Sequence, residues 1–120
     1  MNKTVLIFDD DVELLELCTV ILESRGYTVK TRDNCNDLHS ILENNKPDVI
    51  LMDNWIPEIG GVEATRLIKS SPYSTTPVVF FSANNDVKGL AASAGADAYI
   101  TKPFNISELE TVIDNMTTTR

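Results

Sequence analysis

The sequence predicts an α/β domain in which one parallel sheet carries helices on both faces. Three observations predict it. Five short runs of strand character alternate with five segments of helical period, the pattern that right-handed strand–helix–strand crossovers generate. Two runs, Val49-Ile50-Leu51-Met52 and Val78-Val79-Phe80-Phe81, are continuously apolar, as strands covered on both faces are. The length, 120 residues, suits one domain with a core of its own and no need of disulfide or metal staples.

Residues 5–8 form a compact apolar run that ends at Asp9-Asp10-Asp11, and they read as the first buried strand. From Val12 the period changes. Val12, Leu15, Cys18, Thr19 and Leu22 share a helical face that Leu14 and Ile21 widen. Asp11 stands where an N-terminal cap is wanted, and Arg25-Gly26 supplies a basic last turn with a glycine stop. Residues 27–31 alternate enough for a second strand. A second helix opens at Asn34 or Asn36, runs through Leu38, Ile41 and Leu42, and ends at Asn44-Asn45. Lys46-Pro47 breaks it and feeds the third strand, residues 49–53.

A loop holding Pro57 and Gly60-Gly61 follows, then a helix over residues 62–70 with Val62, Leu67 and Ile68 as apolar members, stopped by Ser71-Pro72. Pro77 introduces the fourth strand, residues 78–81, which ends at Ser82. Residues 86–94 make a short alanine-rich helix closed by Gly95. Tyr99-Ile100 is a short fifth strand leading into Lys102-Pro103-Phe104. The last helix starts near Ser107, where Ser107 and Glu110 have capping-box spacing, and its apolar face is Leu109, Val112, Ile113 and Met116. Residues 117–120 carry no core residue and are expected to fray. No internal repeat, low-complexity segment or linker divides the chain, so residues 1–120 read as one domain.

Composition narrows the function. The chain is 42% hydrophobic and 23% charged, ordinary for a soluble globular protein. A formal charge of -8 argues against direct nucleic-acid binding, because gripping phosphates needs surplus Lys and Arg. Cys18 and Cys35 have neither metal-ligand spacing nor a disulfide framework. Cys18 reads as a small core residue and Cys35 sits near a turn; a reducing cytoplasm is the expected compartment. No apolar run approaches the roughly 18 residues of a membrane span, and the N-terminus lacks a secretory pattern. His39, with no acid or base partner in its helical segment, reads as a solvated residue. Gly60-Gly61 reads as backbone freedom at a tight turn, since no G-x-x-x-x-G-K pattern surrounds it.

The polar residues that follow the strands are the informative ones. The first strand ends at Asp9-Asp10, the third at Asp53, the fourth at Ser82 and the fifth at Lys102. In a parallel sheet every strand's carboxyl end points the same way, so these groups share one edge, where open α/β sheets hold their ligands. Alone, Asp53 could simply cap its strand or the next turn. Beside the others it belongs to a cluster of three carboxylates, a hydroxyl and an ammonium. Carboxylates held this close repel, and ionising all of them requires a cation beyond Lys102. An all-oxygen donor set suits a hard divalent ion such as Mg²⁺, which works with phosphate-bearing substrates. A carboxylate in such company is equipped to attack phosphorus and carry an acyl phosphate.

With these residues the chain resembles a response-regulator receiver domain of two-component signalling over essentially its whole length. The resemblance rests on Asp9-Asp10 after the first strand, Asp53 followed by Pro57 and Gly61, Ser82-Ala83 after the fourth strand, and Lys102-Pro103-Phe104. It implies a flavodoxin-like, doubly wound sheet of strand order 2-1-3-4-5. It implies that Asp53 accepts a phosphoryl group from a histidine kinase or histidine phosphotransfer protein. Mg²⁺, or Mn²⁺ in its place, would be held by Asp9 (partly through water), Asp10, Asp53 and the backbone carbonyl of Trp55. Ser82 and Lys102 would bind the phosphoryl oxygens. A switch would follow in which Ser82 moves toward the phosphate and Tyr99 turns inward. The face of the fourth helix, fifth strand and fifth helix would then meet a downstream protein or a second copy. A cis Lys102–Pro103 bond is implied too, and Asp11 has no role beyond the helix start. Such a domain is a phosphoacceptor that assists its own phosphorylation and dephosphorylation, not an enzyme with a foreign substrate.

Two residues depart from the family's usual choices, Trp55 and Asn84, at positions that tune how fast the phosphoryl group is lost to water. A bulky Trp55 ring would shield it. Two other functions compete. A Mg²⁺-dependent phosphatase would use an Asp-x-Asp pair, which Asp9 and Asp11 imitate, but the chain has no cap domain. A receiver-like scaffold independent of phosphorylation would not need the full acid, hydroxyl and lysine set. No effector, DNA-binding helix pair or basic patch follows residue 116, so the domain acts through protein contacts, passes its phosphate onward, or belongs to a longer chain.

Overall fold

The computed structural model describes residues 2–83 and 85–118. Strands and helices alternate through the chain: β1 (Thr4–Phe8), α1 (Val12–Glu23), β2 (Thr28–Arg32), α2 (Leu38–Asn45), β3 (Val49–Asp53), α3 (Gly61–Lys69), β4 (Val78–Ser82), α4 (Val87–Ala94), β5 (Ala98–Thr101) and α5 (Ile106–Thr118). All pairings are parallel and the sheet order is β2-β1-β3-β4-β5. This is the flavodoxin-like topology that the family resemblance implies.

The pleat divides the strand residues between two cores. Val5, Ile7, Val49, Leu51, Val79 and Phe81 pack with Leu15, Cys18 and Leu22 of α1 and with Leu109 and Ile113 of α5. Their neighbours Leu6, Phe8, Ile50, Met52, Val78 and Phe80 face Leu42 of α2, Ala64 and Ile68 of α3, and Val87 and Ala91 of α4. Burial on both faces is why β1, β3 and β4 carry no alternation. Each fully buried aromatic contributes heavily; truncating Phe80 to Ala would cost about 3–5 kcal/mol.

Register carries these layers up to the site. Phe8 pairs with Met52, Asp53 with Phe81, and Ser82 with Thr101. The residues at or just past those pairs, Asp9, Asp53, Ser82 and Lys102, therefore come level along one edge. The chain leaves β1 for β2 on one side and returns to β3 on the other. A crevice opens at such a switch point, between the carboxyl ends of β1 and β3.

Several local expectations are corrected. Val12 is exposed rather than on the core face; Leu14 and Leu15 are the first residues of α1 to pack on the core. Leu67 is exposed too, and Ala64, Thr65 and Ile68 form the buried face of α3. Helix α2 begins at Leu38, after a left-handed Asp37 (φ 57°), because the Asn34 side chain accepts the Asn36 N–H at 2.9 Å and holds that stretch in a turn. The capping box of α5 is Asn105 and Glu108, not Ser107 and Glu110. Asn105 Oδ1 accepts the Glu108 N–H at 2.8 Å, and the Asn105 N–H is 3.4 Å from Glu108 Oε1. Residue 117, expected to lack a core contact, is buried. Thr117 and Thr118 continue α5, and buried Thr117 lies 3.1 Å from the Tyr27 hydroxyl, which also donates to Asp114 at 2.5 Å. Residues 119 and 120 lie outside the described residues.

Candidate functional site at the carboxyl edge of the sheet

Asp9 and Asp53, only 1% and 4% exposed, flank the crevice at the ends of β1 and β3. One ammonium joins them. Lys102 Nζ donates to Asp53 Oδ1 at 2.6 Å and to Asp9 Oδ2 at 2.9 Å. The remaining oxygens take backbone donors: the Asp11 N–H reaches Asp9 Oδ1 and the Trp55 N–H reaches Asp53 Oδ2, each at 2.9 Å. Asp10 is exposed at the lip, and one carboxylate oxygen from each of Asp9, Asp10 and Asp53 lies within 4.8 Å of the others.

Charge balance explains the titration of the pair. Burial pushes the Asp53 carboxyl above its usual value; the Lys102 hydrogen bond opposes this, the Asp9 charge adds to it, and the balance stays upward. Burial alone would lower the Lys102 pKa, but hydrogen bonds and charges from Asp53 and Asp9 outweigh it and hold the ammonium protonated. One cation among three close carboxylates leaves the crevice short of positive charge. An oxygen-only, acidic donor set of this size fits a hard divalent ion.

The other predicted residues fall as follows. Ser82 is buried at the end of β4, beside Asp53 on its neighbouring strand. Tyr99 lies on β5, an edge strand, and is 43% exposed. Trp55 turns its N–H to Asp53 while its ring stands 74% exposed at the mouth. Asn84 lies outside the described residues. The Asp11 side chain accepts the Leu14 N–H at 3.2 Å and caps α1, which takes it away from an Asp-x-Asp pair with Asp9. Lys102–Pro103 is cis. The Cys18 thiol is pushed up to about 12, by burial first and by the Asp9 charge second, so it stays protonated and unreactive.

One contributor escapes sequence reasoning. The Lys102 ammonium sits 4.4 Å from the centre of the Phe81 ring, a cation–π contact worth about 0.5–2 kcal/mol. Phe104 packs beside that ring, with centroids 6.3 Å apart. Phe81 reads only as a strand residue; its place just before Ser82 is the single local hint.

Fold and site together define a doubly wound parallel-sheet domain with an acidic crevice at its switch point. The chain belongs to the response regulator receiver domain family, whose profile matches residues 5–114. It is 36% identical over 114 residues to the phosphate regulon transcriptional regulatory protein PhoB of Pseudomonas aeruginosa, a match covering 91% of this chain and 49% of that protein. It is 31% identical over 106 residues to the CAI-1 autoinducer sensor kinase/phosphatase CqsS of Vibrio cholerae, covering 85% of this chain and 16% of that one. Among solved structures, a CheY-like response regulator receiver domain protein from Methanospirillum hungatei superposes with TM-score 0.88 at 27% identity, covering 99% and 96% of the two chains. The chain thus spans about half or less of these two curated relatives. Receiver domains are signalling domains that generally bind Mg²⁺.

Proposed function

We propose that this domain is a phosphorylatable switch in which Asp53 receives a phosphoryl group from a phosphohistidine on a histidine kinase or histidine phosphotransfer protein. The observation that carries it is the buried Asp53 carboxylate, held at 2.6 Å by Lys102 and within reach of the Asp9 and Asp10 carboxylates. An Asp53 oxygen forms the new bond to phosphorus as the phosphorus–nitrogen bond breaks, its electron pair returning to the imidazole. Lys102 passes from the carboxylate to a phosphoryl oxygen, and Ser82 donates to another. Asp9, Asp10, Asp53 and the Trp55 carbonyl would hold Mg²⁺, or Mn²⁺, and the ion would supply positive charge near the phosphoryl oxygens.

The readout follows from Ser82. Drawn toward the phosphate, it leaves room beneath β5 that Tyr99 turns inward to fill. The face of α4, β5 and α5 then presents a different surface to a downstream protein or a second copy. The same site hastens its own dephosphorylation when water reaches phosphorus, with Trp55 and Asn84 setting the rate. PhoB is named for transcriptional regulation, but the match covers 49% of it. For the present residues, a net charge of -8 supports protein rather than nucleic-acid partners. Two unpaired thiols among the described residues fit a cytoplasmic setting, and no described helix is long and apolar enough to cross a membrane. Incubation with acetyl phosphate and Mg²⁺, followed by intact mass, tests the reading: one phosphate is gained by the parent and none by Asp53→Ala. Equal gain by the two proteins would end it.

A further inference from the structure

We infer that Gly61 is a positioning residue for the phosphoacceptor, because its missing Cβ lets the first turn of α3 seat directly on the backbone of Asp53. A methyl group built there would lie 2.0 Å from the Asp53 carbonyl oxygen and 2.8 Å from the Asn54 Cα. Both are backbone atoms, which cannot rotate aside as a flexible side chain would. The Gly61 N–H also donates to the Asn54 carbonyl at 2.9 Å. The two ends of the loop from 54 to 61 are therefore locked together.

Within that loop the Gly60 N–H reaches the Ile56 carbonyl at 3.1 Å, and Ile56 is buried below. The Asn54 N–H holds the Phe81 carbonyl of β4 at 3.1 Å. Trp55 sits between these anchors and gives its N–H to Asp53 Oδ2. Any side chain at 61 must drive α3 and the end of β3 apart. Ala64 and Ile68 are fully buried in the core and hold α3, so part of the displacement falls on the end of β3 and the Trp55 peptide. The inference rests on the reading that Asp53 and the Trp55 carbonyl ligate a divalent ion.

Gly60 provides a matched control. Its backbone lies at φ 79°, strained for any side chain, yet nothing stands within 4 Å of its Cβ position. Gly60→Ala strains the same loop without pushing on Asp53. Mg²⁺ titrations read on the fluorescence of the single tryptophan, Trp55, and by calorimetry, would be run beside thermal melts of metal-free protein. Both variants should melt below the parent. Only Gly61→Ala should lose Mg²⁺ affinity, by about tenfold or more, the scale of lost support behind a metal ligand. A folded Gly61→Ala with the parent's affinity overturns the inference, as does an equal loss in Gly60→Ala. Should Gly61→Ala not fold, amide shifts of isotope-labelled parent decide: the Gly61 and Trp55 amides must move along one Mg²⁺ binding curve, and an unmoved Gly61 amide overturns it. A parent that binds no Mg²⁺ would instead refute the metal-site reading beneath it.

Discussion

Lys102 holds Asp53 at 2.6 Å while its other contact, at 2.9 Å, goes to Asp9, so one ammonium bridges the two buried carboxylates of the crevice. Its reach is fixed from below by the Phe81 ring. The bridge makes the resting site tolerable and keeps a cation beside the proposed phosphoacceptor.

Replacing Lys102 by Met keeps the stem and removes the charge. Labelling of Asp53 by acetyl phosphate should slow on the order of 100-fold, the usual effect of deleting a preorganised oxyanion partner. Lys102→Arg should recover only part, because a planar fork cannot occupy the point between two carboxylates. Labelling time courses measure both; an unaltered rate in Lys102→Met would show that the bridge serves the fold alone.

Asp53 should lower stability at neutral pH. Its folded-state pKa is raised, chiefly by burial, so the fold favours the protonated acid and ionisation costs stability. That cost is absent below the ordinary carboxylate range, grows as pH rises from the unfolded value to the folded one, and is complete above it. Asp53→Asn should therefore melt above the parent at about pH 7 and draw level near about pH 3. Melts of both proteins in metal-free buffer check this. A variant less stable than the parent at neutral pH would show that the Lys102 pairing outweighs burial.

Ser82→Ala should uncouple phosphorylation from the surface. Beryllofluoride should shift the ring resonances of Tyr99 in the parent and leave them unmoved in Ser82→Ala, although both proteins bind the analogue. A Tyr99 response that survives the substitution would separate the ring from the hydroxyl.

Trp55→Ala should shorten the life of the aspartyl phosphate several-fold, on the order of 3–10, if the indole folds over the phosphoryl group and excludes water. The ring stands 74% exposed in the resting chain, so shielding requires it to move. Hydrolysis followed by intact mass gives the rate, and an unchanged rate would leave the ring as a partner contact.

How far the sequence could be read depends on which interactions are local. A doubly wound sheet repeats its register, so residues just past each strand share an edge whatever their neighbours; Asp9, Asp53, Ser82 and Lys102 were legible for that reason. Helix starts were harder. Asn105-x-x-Glu108 and Ser107-x-x-Glu110 have the same spacing, and the phase is set by where Leu109 and Ile113 meet the sheet. Val12 and Leu67 keep helical period yet are exposed, because periodicity alone does not record how wide a face of the helix is covered. The Lys102–Phe81 contact joins β4 to the residue just past β5 and leaves no local trace. Gly60 and Gly61 look alike in sequence, but Gly60 answers to backbone conformation and Gly61 to the nearness of another backbone.

Which residue carries the phosphoryl group can be read directly. Borohydride reduction of acetyl-phosphate-treated protein, followed by peptide sequencing in the mass spectrometer, reads the modified position directly. Reduction of an acyl phosphate is expected at position 53, dependent on Mg²⁺ and absent from Lys102→Met on the same time scale. Reduction at Asp9 or Asp10 instead, with position 53 untouched, would contradict that expectation.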